Sequence, residues 1–182
     1  MHAPEQDDTA VNASTVARMS IDSTIYRQVL GHFPTGVTVI TGVAGDEPIG
    51  FTIGSFASVS LDPPLVGFLP MTTSDRWARI AETGSFCVNV LSAAQGDLCW
   101  QFAKGSIEHP FEGVEWTPSA HSGSPIIAGA IAWMDCTIEQ VVDAGDHYFV
   151  MGRLVDLHHV DAETNPHPLL FFKGKLGGFA AH

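Results

Sequence analysis

The sequence predicts a mainly β protein, an antiparallel barrel with a few short helices. Three observations predict it. Short β-branched or wholly apolar runs recur along the chain, about seven of them. Most are joined by tight turns containing Gly, Asp or Pro, which suit antiparallel neighbours and leave no room for the crossovers of a doubly wound sheet. Only three stretches carry helical periodicity, and all are short. With 182 residues, no internal repeat and no linker, one domain is expected.

Residues 1–20 are polar, acidic and small, and read as a disordered tail ahead of a domain spanning 21–182. A helix follows. Asp22 or Ser23 can cap it, Ile25, Val29 and Leu30 form an apolar stripe, and Gly31 and Pro34 stop it. Residues 35–41 (TGVTVIT) are a strand by β-branching. An acidic turn over 42–48 returns the chain into a second strand at 49–53, predicting a hairpin. Strand character resumes over 55–61 after a bend at Gly54, and Asp62-Pro63-Pro64 breaks the ladder because proline has no N–H to donate. Residues 65–69 are a short buried strand. Ser74 caps a helix that presents Trp77 and Ile80 on one face and stops at Gly84. FCVNVL over 86–91 is a strand with one polar intruder, Asn89. Residues 93–103 are helical, with Leu98, Phe102 and Cys99 inward. Residues 104–124 form a long Gly/Pro/Ser-rich excursion. Two long strands, 130–142 and 147–155, flank a turn at 143–146. A last strand covers 169–172.

Composition narrows the function classes. The net charge is −12, with eight Lys and Arg in total. A nucleic-acid binder needs a basic face, and a lipid-surface protein a polybasic segment, so neither class fits. A small phosphorylated ligand remains admissible, because it needs only a local pocket of donors. Cys87, Cys99 and Cys136 are odd in number and widely spaced, which suits reduced thiols in a cytoplasmic protein rather than a zinc site or a disulfide framework. No secretion signal and no membrane-spanning apolar run are read. The nine histidines form no metal-binding pattern.

Four places carry chemical potential. In GFTIGSFASVSLDPP, residues 50–64, small and hydroxylated residues alternate with apolar ones; this suits close approach of a planar phosphorylated ligand, and equally a bend in a small barrel. In PMTTSDR, residues 70–76, hydroxyls and Arg76 at a helix start form either an anion site or an ordinary cap. Trp100-Gln101-Phe102 sets an amide between aromatics, as a site wall or as core. Gly145-Asp146-His147 puts a histidine at a strand mouth. No dinucleotide glycine fingerprint, phosphate loop or nucleophile elbow is present.

Seven blocks in order (YRQVLGHFPTGVTVIT, GFTIGSFASVSLDPPLV, FCVNVL, QFA, SPIIAGAIAWMDC, GDHYFVMG and PLLFFKGKLG) make residues 24–179 resemble the flavin reductase family with the FMN-binding split barrel, the reductase components of two-component flavin monooxygenases. The resemblance implies a Greek-key split barrel. It also implies reduction of FMN or FAD by NADH or NADPH, with the reduced flavin passed to a separate oxygenase component. The alternative on the same barrel is a flavin-binding protein without reductase activity, used for electron storage or sensing. By the same resemblance Pro48, Ile49, Gly50, Phe51, Thr52, Gly54 and Ser55 would line the isoalloxazine and ribityl chain. Pro70, Met71 and Thr72, with Ser74 and Arg76, would hold the phosphate end. Gln101 and Phe102 would close the site, and His147, as catalytic residue, would stand near the nicotinamide. A homodimer is implied, with neither nucleic acid nor membrane as partner. Two departures stand out: Phe172 and Lys173 replace a Tyr and Arg common near the family's end, and Ile53 and Gly54 replace polar or bulkier residues.

Overall fold

The computed structural model describes residues 21–105, 108–161 and 167–180. The expected tail, residues 1–20, lies outside them. Twelve strands and three α-helices are present among the described residues: α1 (Ser23–Leu30), β1 (Thr35–Gly36), β2 (Thr38–Ala44), β3 (Glu47–Ile53), β4 (Ala57–Ser60), β5 (Leu65–Phe68), α2 (Asp75–Ala81), β6 (Ser85–Val90), α3 (Gly96–Ala103), β7 (Trp116–Pro118), β8 (Pro125–Ile127), β9 (Ala132–Ala144), β10 (His147–His159), β11 (Leu169–Phe172) and β12 (Lys175–Gly178). The mainly β, antiparallel expectation holds.

One seven-stranded sheet runs in the order β3-β2-β6-β9-β10-β5-β4, antiparallel throughout. Its hydrogen bonding does not close: β3 and β4 are its two edges. The sheet is nevertheless rolled. Laid flat, β3 and β5 would stand about 24 Å apart, five strand spacings. Instead Phe51 of β3 and Phe68 of β5 bring their rings to 6.3 Å. The direct link from β3 to β4 is only residues 54–56, so the two edges cannot separate. The rolled interior is filled by Ile40, Phe51, Phe68, Phe86, Val88 and Val150. Trp77 and Ile80 of α2 join the same core.

β2 is buried on both faces over residues 38–42, which is why it carries no charged residue and no apolar–polar alternation. Ile40 points into the rolled core. Val39 faces a second cluster with Leu91, Cys99, Phe102, Ile127 and Leu169. Asn89, the polar intruder, is fully buried and satisfied. Its amide donates to Thr41 Oγ1 and Pro125 O at 3.1 Å, and its oxygen accepts from Ile127 N at 2.8 Å. It thereby pins β8 to the sheet.

The structure corrects several boundaries. The strand expected over 35–41 splits in two, and β1 pairs with β11 in a separate three-stranded sheet with β12. The excursion over 104–124 contains β7, which pairs with β8. Strand β12 was not expected, because LysLeuGlyGly lacks β-branching. The stripe of α1 is not buried at all: Ile25, Val29 and Leu30 are 53–60% exposed. No described helix is long and apolar enough to cross a membrane.

All three cysteines are buried free thiols. Burial, reinforced by the neighbouring Asp135, pushes Cys136 up to about 12 and drives Cys87 upward too. A raised thiol stays protonated in the folded protein after the unfolded chain has ionised, so stability falls as pH rises above about 9. A thiol-reactive probe at pH 8 should label essentially no cysteine in the native protein and three after denaturation. Rapid native labelling would contradict this burial.

Candidate functional site

His147 is placed by a two-residue hairpin loop, Gly145-Asp146, between β9 and β10. Gly145 has φ +74, as the first position of a type II′ turn requires. The loop is tied to the segment after β5. His147 forms a β-bridge with Met71, Thr72 N donates to Asp146 O at 3.0 Å, and Tyr148 N donates to Pro70 O at 2.9 Å. His147 Nδ1 meets the Asp146 carboxylate at 2.7 Å. That hydrogen bond holds the Asp146 carboxyl below the usual carboxylate range. It also fixes the imidazole with Nδ1–H toward Asp146.

His147, Met71, Pro70, Ser74, Phe51 and Thr52 meet around one cavity of about 350 Å³. Leu69, Ile53, Thr73, Arg76, Phe102, Ala103 and Gly105 complete it. Thr52, Ile53 and Ala103 also line a second cavity of about 270 Å³, with Gly54. Residues separated by almost a hundred positions are thus assembled by the rolled sheet.

Several expected contacts have other work. Arg76 donates to Phe102 O at 2.9 Å, Lys104 O at 3.2 Å and Gly50 O at 3.3 Å. It clamps two backbone segments, β3 and the end of α3, beside the cavity that it also lines and where a phosphate anchor is expected. Thr52 Oγ1 donates to Cys99 O at 2.8 Å, Thr72 Oγ1 to Asp146 O at 3.1 Å and Ser55 Oγ to Leu69 O at 3.3 Å. Ser74 Oγ caps α2 by accepting from Trp77 N. These hydroxyls orient the walls before they meet any ligand. Gly50 makes room for the Phe102 ring, which a Cβ there would touch at 2.8 Å. A Cβ at Gly54 would meet Thr35 Oγ1 at 3.0 Å. Pro48 and Ile49 lie outside the cavity wall, Ile49 in the core. Gln101 donates to Pro110 O and Glu112 O and borders a different, open groove. Phe102 is fully buried and serves as floor.

Leu69, Ala103 and Gly105 were not read from the sequence as site residues; only spatial proximity identifies them. Asp146 was read merely as a turn residue, although its adjacency to His147 carried the signal.

Replacing Arg76 by alanine should leave three carbonyls without their donor. We expect a loss of about 2 kcal/mol in stability together with weaker ligand binding. Lysine cannot span the three acceptors, so Arg76→Lys should recover only part of the loss. Thermal melts and flavin titration of both variants check this.

An apolar floor of Phe51, Ile53 and Phe102 under a rim of Thr73, Ser74 and His147 suits a flat ring with polar edges. Fold and site therefore define a protein that holds a planar ligand at the mouth of a rolled β-sheet. The chain belongs to the flavin reductase family: residues 30–180 match the flavin reductase like domain. It is 45% identical over 170 residues to a flavin reductase of Pseudomonas putida, covering 93% of this chain and 97% of the relative. It is 48% identical over 159 residues to the flavin-dependent monooxygenase reductase subunit HsaB of Mycobacterium tuberculosis, covering 87% and 83%. Among solved structures, it resembles the Streptomyces globisporus NADH:FAD oxidoreductase SgcE6 in complex with NAD and FAD fragments. The TM-score is 0.81 at 38% identity, covering 87% of this chain and 93% of that one.

Proposed function

We propose that this protein is an NAD(P)H:flavin oxidoreductase that reduces FMN or FAD and releases the reduced flavin to a separate monooxygenase component. The observation that carries the reading is the single cavity joining the β3 wall to the Met71–His147 bridge. The names of its relatives point the same way. The chemistry that the cofactors supply is hydride transfer from a reduced nicotinamide to the flavin ring. The protein's part is to hold and orient. Phe51, Ile53 and Phe102 give the ring system an apolar bed that excludes water. His147, locked by Asp146, orients the nicotinamide; hydride transfer itself requires no acid.

The rolled, unclosed sheet supports the split-barrel description. A homodimer is the partner state we propose: a second copy would cover the exposed face of α1, which cannot be stable as an isolated apolar helix of eight residues. We assign the protein to the cytoplasm, where its three free thiols stay reduced.

The experiment is oxidation of NADH and of NADPH with FMN, FAD and riboflavin each added. Turnover that depends on added flavin supports the reading. Flavin binding without nicotinamide oxidation would favour electron storage or sensing instead, and absence of both would defeat the proposal.

A further inference from the structure

Gln101 stands between Trp100 and Phe102 and, by the family resemblance, would close the cavity; it does not line it. Its side chain turns to the excursion instead. Nε2 donates to Pro110 O at 2.9 Å and to Glu112 O at 3.0 Å, the carbonyls on either side of Phe111. Both amide hydrogens are thereby engaged, and the excursion is gripped around a single residue. Between α3 and β7 no strand or helix is present among the described residues, so no ladder fixes Phe111 there. The Gln101 amide does.

What Phe111 touches links this grip to the site. Its ring meets Phe102 edge-to-face, with centroids 4.9 Å apart, and packs on the cluster to which Phe102 belongs. Phe102 is fully buried and walls the cavity of about 350 Å³. It has no slack toward β3, where a Cβ on Gly50 would stand 2.8 Å from its ring. A ring packed so closely transmits a shift of its neighbours rather than absorbing it. Ala103 and Gly105, just after it, line the same cavity, and Arg76 donates to Phe102 O and Lys104 O. The end of α3 is thus held by Arg76 at its carbonyls and by Phe111 at its ring.

We propose that Gln101 is a positioning residue for flavin binding. By holding the backbone on both sides of Phe111 it sets that ring against Phe102, and so sets the floor under the flavin. The proposal rests on the flavin reductase reading and assigns Gln101 no contact with the flavin.

The test uses Gln101→Met, which keeps the length and removes both donors, and Gln101→Glu, which keeps the shape but turns oxygen toward two carbonyl oxygens. Phe111→Ala and the double variant Gln101→Met with Phe111→Ala complete a cycle. Flavin affinity is measured by fluorescence titration, and hydride transfer by stopped flow at saturating flavin. Melting curves of every variant set a titration temperature at which all are folded; if Phe111→Ala does not fold, Phe111→Leu replaces it in the cycle. Gln101→Met should weaken flavin binding about three- to tenfold, and Gln101→Glu more, while hydride transfer at saturation changes less than about twofold. The double variant should bind flavin no worse than Phe111→Ala alone, because two residues acting as one unit are not additive. Wild-type affinity in both Gln101 variants, with lowered melting temperatures, would make Gln101 a loop fastener only and overturn the proposal. Additive losses in the double variant would overturn it too, since Gln101 would then act independently of Phe111. So would slowed hydride transfer with affinity intact. In each of these cases a wild type that turns over leaves the reductase reading standing; a wild type that neither binds flavin nor oxidises NADH defeats both.

Discussion

His147→Ala should slow NADH-dependent flavin reduction by about ten- to hundredfold while flavin affinity changes less than about twofold. The expectation follows from where the imidazole is held. It starts β10, is bridged to Met71 and is turned by Asp146 at 2.7 Å. Only one part of the cavity rim is therefore lost with the ring, and the apolar floor of Phe51 and Phe102 stays. Hydride transfer depends on close alignment of donor and acceptor, so a misplaced nicotinamide costs rate rather than flavin binding. Asp146→Asn should give a smaller loss, because the amide still accepts from Nδ1–H but without charge. The sign of the pH effect follows from Asp146. Its carboxyl lies below the ordinary range, so the charged contact persists above that range and is lost as pH falls through the lowered value. Stopped-flow reduction of bound flavin separates the two quantities. An unchanged hydride-transfer rate in His147→Ala would remove the residue from the nicotinamide site.

Phe68→Ala should destabilise the fold by about 3–5 kcal/mol, the range for a fully buried aromatic truncated in a core. Phe68 is wholly buried and touches three rings, Phe86 at 5.1 Å, Trp77 at 5.5 Å and Phe51 at 6.3 Å. It ties the β5 side of the roll to the β3 side and to α2. Its loss also loosens Phe51, which forms the cavity wall, so flavin affinity should fall with stability. Urea unfolding measures the first and flavin titration the second. A loss under about 1 kcal/mol would mean that the core collapses around the gap, and that the roll does not depend on this ring.

The strands of the seven-stranded sheet, their antiparallel character and the caps Asp22 and Ser74 were legible because each rests on local chemistry. β-branching favours a pleated backbone, Gly45 and Gly145 allow tight turns, and a short side-chain oxygen satisfies helix N–H groups. The ordered blocks likewise pointed to the family. What each polar side chain does was not legible. A threonine hydroxyl or an arginine fork can serve a ligand or a carbonyl with the same chemistry, and only packing chooses. Arg76 went to the backbone, Thr52 to Cys99, and Gly50 to Phe102.

By itself the sequence determined a mainly β chain with its turns, its caps and a histidine at a strand mouth. Only the tertiary structure decided that Met71 meets His147 across 76 positions, and that the apolar stripe of α1 faces outward. The reason is physical. Local propensity acts over a few residues, whereas the rolling of a sheet whose edges are joined by three residues brings distant segments together, and no local signal encodes that closure.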